Sequence, residues 1–213
     1  MSFAVIQTGG KQYKVSASEI LKIERLNNQE GKTVETLIPA MINVAISKLP
    51  IPKPMRWGSS RTQFIRPVHT LTIMFGDKVI AGETLEVSSS NVVTGHRFHH
   101  EGLVALTHAD EYEEKLNTAF VQVDYEQRQA LILEQIKKAA DQLNGDALID
   151  DDLLKEVTGL VEWPVILIGS FDEAFLNVPA EPLIYSMKDH QKYFPVNDKN
   201  GQLINKFIFV TNI

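Results

Sequence analysis

The chain has 213 residues, of which 44% are hydrophobic and 23% charged, and its formal net charge is −6. This composition is ordinary for a globular protein that buries its own core. The absence of cysteine excludes disulfides and thiolate metal ligands, and no apolar run is long enough to predict a membrane span. We therefore expect a cytoplasmic protein. Because a dedicated nucleic-acid-binding domain usually carries a basic excess, any RNA contact must use a local basic face.

The first third of the chain predicts short strands followed by a helix. Residues 3–6, 12–15 and 20–25 are predicted strands, with a turn at Thr8-Gly9-Gly10. A helix is predicted over residues 33–49, and Pro50 ends it. Its apolar stripe at helical spacing consists of Ile38, Met41, Ile42, Ala45 and Leu49. Strands over 68–75 and 78–87 follow, joined at Gly76-Asp77.

The last hundred residues predict alternating helices and strands. Helices are predicted over 110–117, 124–143, 150–160 and 181–188, and strands over 165–168, 193–196 and 206–210. Asp124 with Gln127 resembles a capping box, Gly145 is a natural helix stop, and the aspartates at 150–152 suit a helix N-terminus. The strand at 165–168 is expected to be buried. The fold class is α+β, with mixed or antiparallel sheets, packed helices and a short N-terminal β segment.

Six short segments carry a resemblance to a known family. They are PIPKPMRWG at 50–58, FIRPVH at 64–69, GHRF at 95–98, VEWP at 161–164, VPAE at 178–181 and SMKDHQKYF at 186–194. In this order and spacing they resemble an internal fragment of the bacterial glycyl-tRNA synthetase beta subunit, covering about residues 32–213. Pro54 departs from the family pattern, where a longer side chain is usual, and stiffens a segment that is already extended.

Residues 1 to about 31 are similar to a different family. The segments FAVIQTGGKQYKV and ILKIERL resemble the N-terminus of the bacterial large-subunit ribosomal protein twenty-one family, a small β-barrel that binds ribosomal RNA. The strands that would close this barrel, and the basic tail of that family, are missing from the resemblance. We therefore predict two parts, residues 1–31 and residues 32–213, joined in a chimeric or rearranged gene or by engineering.

The resemblance implies a role in protein biosynthesis without chemistry in this chain. In the resembled family glycine is joined to its tRNA, and ATP and Mg²⁺ are used by a separate alpha subunit, while the beta subunit supplies tRNA recognition and assembly. The resemblance therefore implies glycine tRNA and the alpha subunit as partners, no cofactor here, and no aminoacylation by this chain alone. Ribosomal RNA binding through residues 1–31, or a folded fragment without activity, are the alternatives. The sequence contains no P-loop, Rossmann glycine pattern or nucleophile elbow, so we predict no catalytic residue.

Arginines beside aromatic or imidazole groups are the first candidate RNA contacts. Arg56 precedes Trp57, and Arg66 lies close to His69. Such an arginine could stack on a base or bind phosphate. The alternative is a buried tryptophan with an ion-paired arginine.

The GHRF segment gives a second candidate, because the resemblance marks it. His96 and Arg97 beside a glycine turn could bind phosphate or brace the loop against acidic neighbours. His96, His99, His100 and His108 are also a conceivable metal cluster, but they lack a ligand spacing such as HExxH, so we predict a polar loop and no metal site.

The densest basic and aromatic patch consists of Lys188, His190, Lys192 and Tyr193. These residues could bind the tRNA backbone, with Tyr193 stacking on a base. Alternatively, Lys188 stabilises the dipole at the C-terminus of its own helix.

Overall fold

The computed structural model describes residues 3–8, 11–16 and 34–213. The chain divides into two compact units. The first unit is Met1–Thr94 with Gly102–Lys115, and the second is Gly95–Glu101 with Leu116–Ile213. Both units combine helices with small sheets, mostly antiparallel, so the predicted α+β class is confirmed.

An antiparallel hairpin forms the N-terminal β segment. Strand β1 (Phe3–Thr8) pairs with β2 (Lys11–Ser16), with Phe3 opposite Ser16 and Thr8 opposite Lys11. The predicted strands at 3–6 and 12–15 are confirmed. The predicted glycine turn, the strand at 20–25 and the junction near residue 31 lie outside the described residues, so the division at residue 31 stays a prediction.

Helix α1 (Val34–Ser47) confirms the helix predicted over 33–49. Pro39 lies inside the helix and leaves one backbone hydrogen bond unmade, since proline has no N–H. The side-chain amide of Asn43 donates to the carbonyl of Pro39 at 3.1 Å and to that of Glu83 at 3.0 Å. The second of these bonds attaches α1 to a neighbouring strand of the first unit.

The rest of the first unit is made of very short strands. They are β3 (Met55–Arg56), β4 (Gln63–Phe64), β5 (Leu71–Thr72), β6 (Met74–Phe75), β7 (Lys78–Val79), β8 (Glu83–Thr84), β9 (Val87–Ser90), β10 (Val92–Thr94) and β11 (Leu103–Ala105). Antiparallel pairs form between β3 and β4, β6 and β7, and β10 and β11. Strand β9 lies between β8 and β5 and is parallel to β5.

The prediction of two long strands at 68–75 and 78–87 was therefore wrong. The turn at Gly76-Asp77 is present, with Gly76 at φ +63°. The second predicted strand is divided among β7, β8 and β9. A second reversal, at Leu85 and Glu86 with φ of +51° and +64°, separates β8 from β9. Two consecutive left-handed residues are typical of a tight hairpin turn, and glycine or asparagine usually occupies such positions.

The second unit is an antiparallel sheet with two helices on its core side. Helix α2 (Tyr112–Thr118) begins in the first unit and ends in the second. The remaining elements are α3 (Tyr125–Gln142), β12 (Gly145–Ala147), α4 (Asp151–Leu160), β13 (Val165–Ser170), α5 (Ala180–Tyr185), β14 (Phe194–Asp198) and β15 (Leu203–Thr211). The strand order is β12-β14-β15-β13. All four predicted helices and the predicted hairpin at the chain's end are confirmed.

The helix starts follow the predicted aspartates closely. The carboxylate of Asp124 accepts from the backbone N–H of Gln127 at 2.9 Å, and that of Asp150 accepts from Asp152 and Leu153 at 3.0 and 3.1 Å. These bonds satisfy N–H groups that have no partner within the helix. The predicted stop at Gly145 was wrong by one residue: Asn144 takes the left-handed conformation at φ +52°, and Gly145 already begins β12.

One hydrophobic core lies between α3, α4 and the sheet. The helices contribute Ile132, Ile136, Ala139, Ala140, Leu153, Leu154, Val157 and Val161, and the strands contribute Phe194, Val196 and Ile208. The predicted burial of β13 was wrong. It is an edge strand, and Leu167 and Ile168 are 42% and 40% exposed.

A capping box begins the turn that leads into α2. The side chain of His108 accepts from the backbone N–H of Asp110 at 3.2 Å, and Glu111 reaches back to the N–H of His108 at 3.3 Å. The Glu111 carboxylate also accepts from the backbone and hydroxyl of Thr107 and from Lys115 at 2.9 Å. His108, grouped with the other histidines by sequence, therefore has a structural role.

Glu111 gives a prediction for acid stability. The hydrogen bond from Lys115, with those from Thr107, lowers the pKa of Glu111 to about 2. A carboxyl with a lowered folded-state pKa stabilises the fold above its unfolded-state pKa and loses that contribution as pH falls through the folded value. We expect the free energy of unfolding of Glu111→Gln to lie below that of the native chain near pH 5, and the gap to close as pH approaches 2. Parallel pH profiles in urea unfolding would contradict this assignment.

Candidate nucleic-acid interface

The two predicted arginines of the first unit are exposed beside a short hairpin. Arg56 lies on β3 opposite Gln63, and Arg66 follows β4 by two residues. His69 is exposed as well, whereas Trp57 is half-buried. Within the described part of the chain, neither arginine forms a salt bridge. The alternative of a buried tryptophan with an ion-paired arginine is therefore not what the structure shows.

These arginines belong to a longer stretch without acidic residues, which the sequence predictions missed. Between Glu35 and Asp77 the sequence has no Asp or Glu, although it has 27 of them in all. Residues 53–66, which we call the cationic hairpin, carry four exposed positive charges and no negative one: Lys53, Arg56, Arg61 and Arg66. The signal that could have found this site is the gap between acidic residues rather than any motif.

A single carboxylate fixes the tip of the cationic hairpin. Oε1 of Glu86, on the β8–β9 turn, accepts from the hydroxyls of Ser60 and Thr62, both at 2.6 Å. The Ser60 hydroxyl also accepts from the backbone N–H of Thr62 at 2.8 Å. The two hydroxyl donors lower the pKa of Glu86 below its usual value, so that this carboxylate stays ionised and keeps accepting from both hydroxyls.

The GHRF segment lies in the second unit and separates into a buried and an exposed residue. His96 is fully buried, its Nδ1 accepts from the backbone N–H of Phe98 at 3.3 Å, and its ring stacks on His99 at 4.7 Å. A side chain without exposed surface offers nothing to an RNA in this conformation. Arg97 is exposed, with its guanidinium 5.6 Å from the ring of Phe98, which is itself 68% exposed.

Aromatic contacts connect this segment with VEWP. The ring of His99 lies 5.3 Å from Phe120, and Phe120 makes an edge contact with Trp163 at 5.4 Å. The backbone of Gly95 lies close to two side chains, and a Cβ at this position would lie 2.8 Å from both Ala119 and the ring of His100. Packing within the second unit therefore explains most of the residues in the GHRF and VEWP segments without a ligand. Among the described residues, no group of three or more His, Asp or Glu side chains could hold a metal ion.

The predicted patch at 188–193 is internally paired. The ammonium of Lys188 lies 2.8 Å from the Asp150 carboxylate, and that of Lys192 lies 2.9 Å from Glu156. Lys188 thus contacts the residue that caps α4, which differs from the predicted role at the end of its own helix. Its hydrogen bond is the largest cause of the lowered pKa of Asp150.

The aromatic members of this patch are also engaged. Tyr193 stacks on Phe207 at 4.6 Å with nearly parallel rings, and His190 makes an edge contact with Tyr185 at 5.3 Å. The turn that carries Lys188 and His190, Ser186–His190, is π-helical and continues α5. An RNA could use Lys188, Lys192 or Tyr193 only in competition with these intramolecular partners, whereas the cationic hairpin offers charges that no described carboxylate pairs.

An exposed cationic hairpin on an otherwise acidic α+β chain is typical of a protein that contacts a polyanion such as nucleic acid. Comparison with known families shows which family the chain belongs to. The family described as glycyl-tRNA synthetase beta subunit matches residues 11–213, and the chain belongs to this family. The similarity of residues 1–31 to a ribosomal protein is not addressed by this match and stays a prediction.

Curated relatives agree with the family. The chain is 68% identical over 183 residues to the glycine–tRNA ligase beta subunit of Colwellia psychrerythraea, and 56% identical over 183 residues to that of Pseudoalteromonas translucida. In both comparisons 86% of this chain is covered, but only 27% of the relative. The chain thus spans about a quarter of the length of the curated relatives it matches. No helix within the described residues is long and apolar enough to cross a membrane.

Proposed function

We propose that this chain is a tRNA-facing part of a glycine–tRNA ligase beta subunit, which contacts the phosphate backbone of glycine tRNA and is not catalytic alone. The observation that carries the proposal is the family match over residues 11–213 together with exposed arginines, Arg56 and Arg66, that no described carboxylate pairs. Attachment of glycine would use ATP and Mg²⁺ on a separate alpha subunit, and this chain would hold no cofactor.

The predicted contact residues have unequal support. Arg56, Arg66, His69 and Arg97 are exposed and available. Lys188 and Lys192 are paired with Asp150 and Glu156, so an RNA phosphate would have to displace a carboxylate that each lysine already contacts. His96 would act indirectly, by holding the loop that presents Arg97.

Subunit assembly is the second candidate function. Edge strand β13 has the uncharged sequence VILIGS, and Leu167 and Ile168 on it are about two-fifths exposed. Natural proteins usually protect such an edge with charges, prolines or a covering element. An apolar edge strand without charges or prolines favours contact with another polypeptide, for which the alpha subunit is the partner we propose.

Binding of labelled glycine tRNA and of a non-cognate tRNA to the purified chain, over a salt series, tests the tRNA proposal. We expect binding that weakens steeply as salt rises, because each neutralised phosphate contributes about 0.7 to 0.9 to the slope of log K against log salt. No detectable binding at low salt would reject the tRNA-facing role. Co-elution with the alpha subunit in that case would leave assembly as the function.

A further inference from the structure

We propose that the cationic hairpin, residues 53–66, is the element that binds the RNA phosphate backbone, and that Glu86 positions it. This inference rests on the proposed tRNA-facing function and specifies where the contact is made. Two of its four cations, Lys53 and Arg61, are not among the RNA contacts predicted from the sequence, and Glu86 is an acidic residue that RNA binding alone would disfavour.

The strand register brings the four cations onto one small element. Met55 lies opposite Phe64 and Arg56 opposite Gln63. Lys53 precedes β3 by two residues and Arg66 follows β4 by two residues, so both lie near the open end of the hairpin. Arg61 lies in the connecting loop at the other end. A surface with cations at both ends and in the middle can contact several phosphates along one strand.

The chemistry favours an RNA backbone over an acidic protein segment. Three of the four cations are arginines, whose planar guanidinium makes paired hydrogen bonds to phosphate oxygens and stays charged at every relevant pH. The chain as a whole carries −6, so a polyanion gains affinity only where cations are locally concentrated, as they are on this hairpin. A polyanion with closely spaced charges gains most from such a concentrated site, because it releases several counterions at once.

Glu86 provides order rather than charge. Its Oε1 accepts both hydroxyl bonds from the loop that carries Arg61. A glutamine at this position has a carbonyl oxygen that could accept the same two bonds, whereas an alanine has no acceptor. The two substitutions remove the same negative charge, and they differ in whether the loop stays anchored.

The decisive experiment compares two double variants of equal charge in the tRNA salt series. Arg56→Gln with Arg66→Gln removes two hairpin cations, and Lys137→Gln with Lys138→Gln removes two exposed cations on α3. We expect the hairpin pair to reduce the slope of log K against log salt by about 1.4 to 1.8. The loss of tRNA affinity between 50 and 200 mM salt should therefore be about tenfold smaller than for the native chain. We expect the α3 pair to leave the slope near that of the native chain.

The outcomes separate this inference from the proposed function. If the native chain binds tRNA and both double variants bind equally well, the hairpin inference is wrong while the tRNA-facing function stands. If the native chain does not bind tRNA at all, the proposed function itself fails, and the inference with it. Capture of poly-aspartate as tightly as tRNA, lost in the hairpin variant, would reassign the hairpin to acidic proteins.

A second comparison tests the role of Glu86. We expect Glu86→Ala to bind tRNA more weakly than Glu86→Gln, because only the alanine variant lacks the anchor for the Arg61 loop. Faster amide exchange at residues 58–62 in Glu86→Ala, and not in Glu86→Gln, would give the same conclusion without tRNA. Equal affinity and equal exchange in the two variants would show that Glu86 does not position the hairpin.

Discussion

Phe194→Ala is expected to lower the free energy of unfolding of the second unit by about 3 to 5 kcal/mol, the usual cost of removing a fully buried phenylalanine. Phe194 has no exposed surface and lies on β14 opposite Ile208, which is also fully buried. Both belong to the core that packs against α3 and α4. Deleting the ring leaves a cavity at the centre of the unit, where the surrounding strands and helices can collapse only in part.

The two tryptophans allow this effect to be measured in one unit. Trp57 lies in the first unit and Trp163 in the second. In a Trp57→Phe background, fluorescence in urea follows the second unit alone. Phe175→Ala is the matched control, because Phe175 lies in the same unit but is 54% exposed. Equal losses in the two variants would mean that the assigned core does not carry the stability of this unit.

Local sequence signals predicted the second unit well. The aspartates at 124 and 150 determine where α3 and α4 begin, and their carboxylates accept from the backbone as expected of N-caps. The helix predicted over 124–143 has Ile132 and Ile136 four residues apart, and both are buried on its core face. These features depend on residues within one or two turns of each other, so the sequence alone is enough to predict them.

Features that depend on distant or unusual backbone contacts were missed. The turn at Leu85 and Glu86 has two non-glycine residues at positive φ, which no residue preference predicts. Lys188 pairs with a residue 38 positions earlier, and no periodicity reveals such a contact. The exposure of β13 follows from its place at the sheet edge, which depends on how four strands assemble.

In the candidate site, too, the sequence revealed local charge but not the tertiary contacts that pair it. Density of charge along the sequence favoured residues 188–193, but tertiary ion pairs neutralise Lys188 and Lys192 there. The cationic hairpin is less dense, yet its charges have no described acidic partner. For a phosphate site the deciding quantity is therefore the number of cations left unpaired after folding, and the absence of nearby acidic residues is its best sequence indicator.

Gly145→Ala is expected to destabilise the second unit by about 1 to 3 kcal/mol, because β12 and β14 approach too closely at this position to accept a side chain. A Cβ at residue 145 would lie 2.5 Å from the backbone oxygen of Asn197 and 2.7 Å from the Val196 side chain. The first of these atoms belongs to the paired strand, so relief requires the strands to separate and not merely a side chain to rotate. Urea unfolding in the Trp57→Phe background measures the change.

Gly159→Ala provides a control of opposite sign in the same unit. Gly159 lies in α4, and a Cβ there would meet nothing within 4 Å. Alanine is about 0.5 to 1 kcal/mol more favourable than glycine within a helix, so this variant should be more stable than the native chain. If Gly145→Ala were as stable as Gly159→Ala, β12 would not lie as close to β14 as the structure places it. The pairing of β12 at the edge of the sheet would then be contradicted as well.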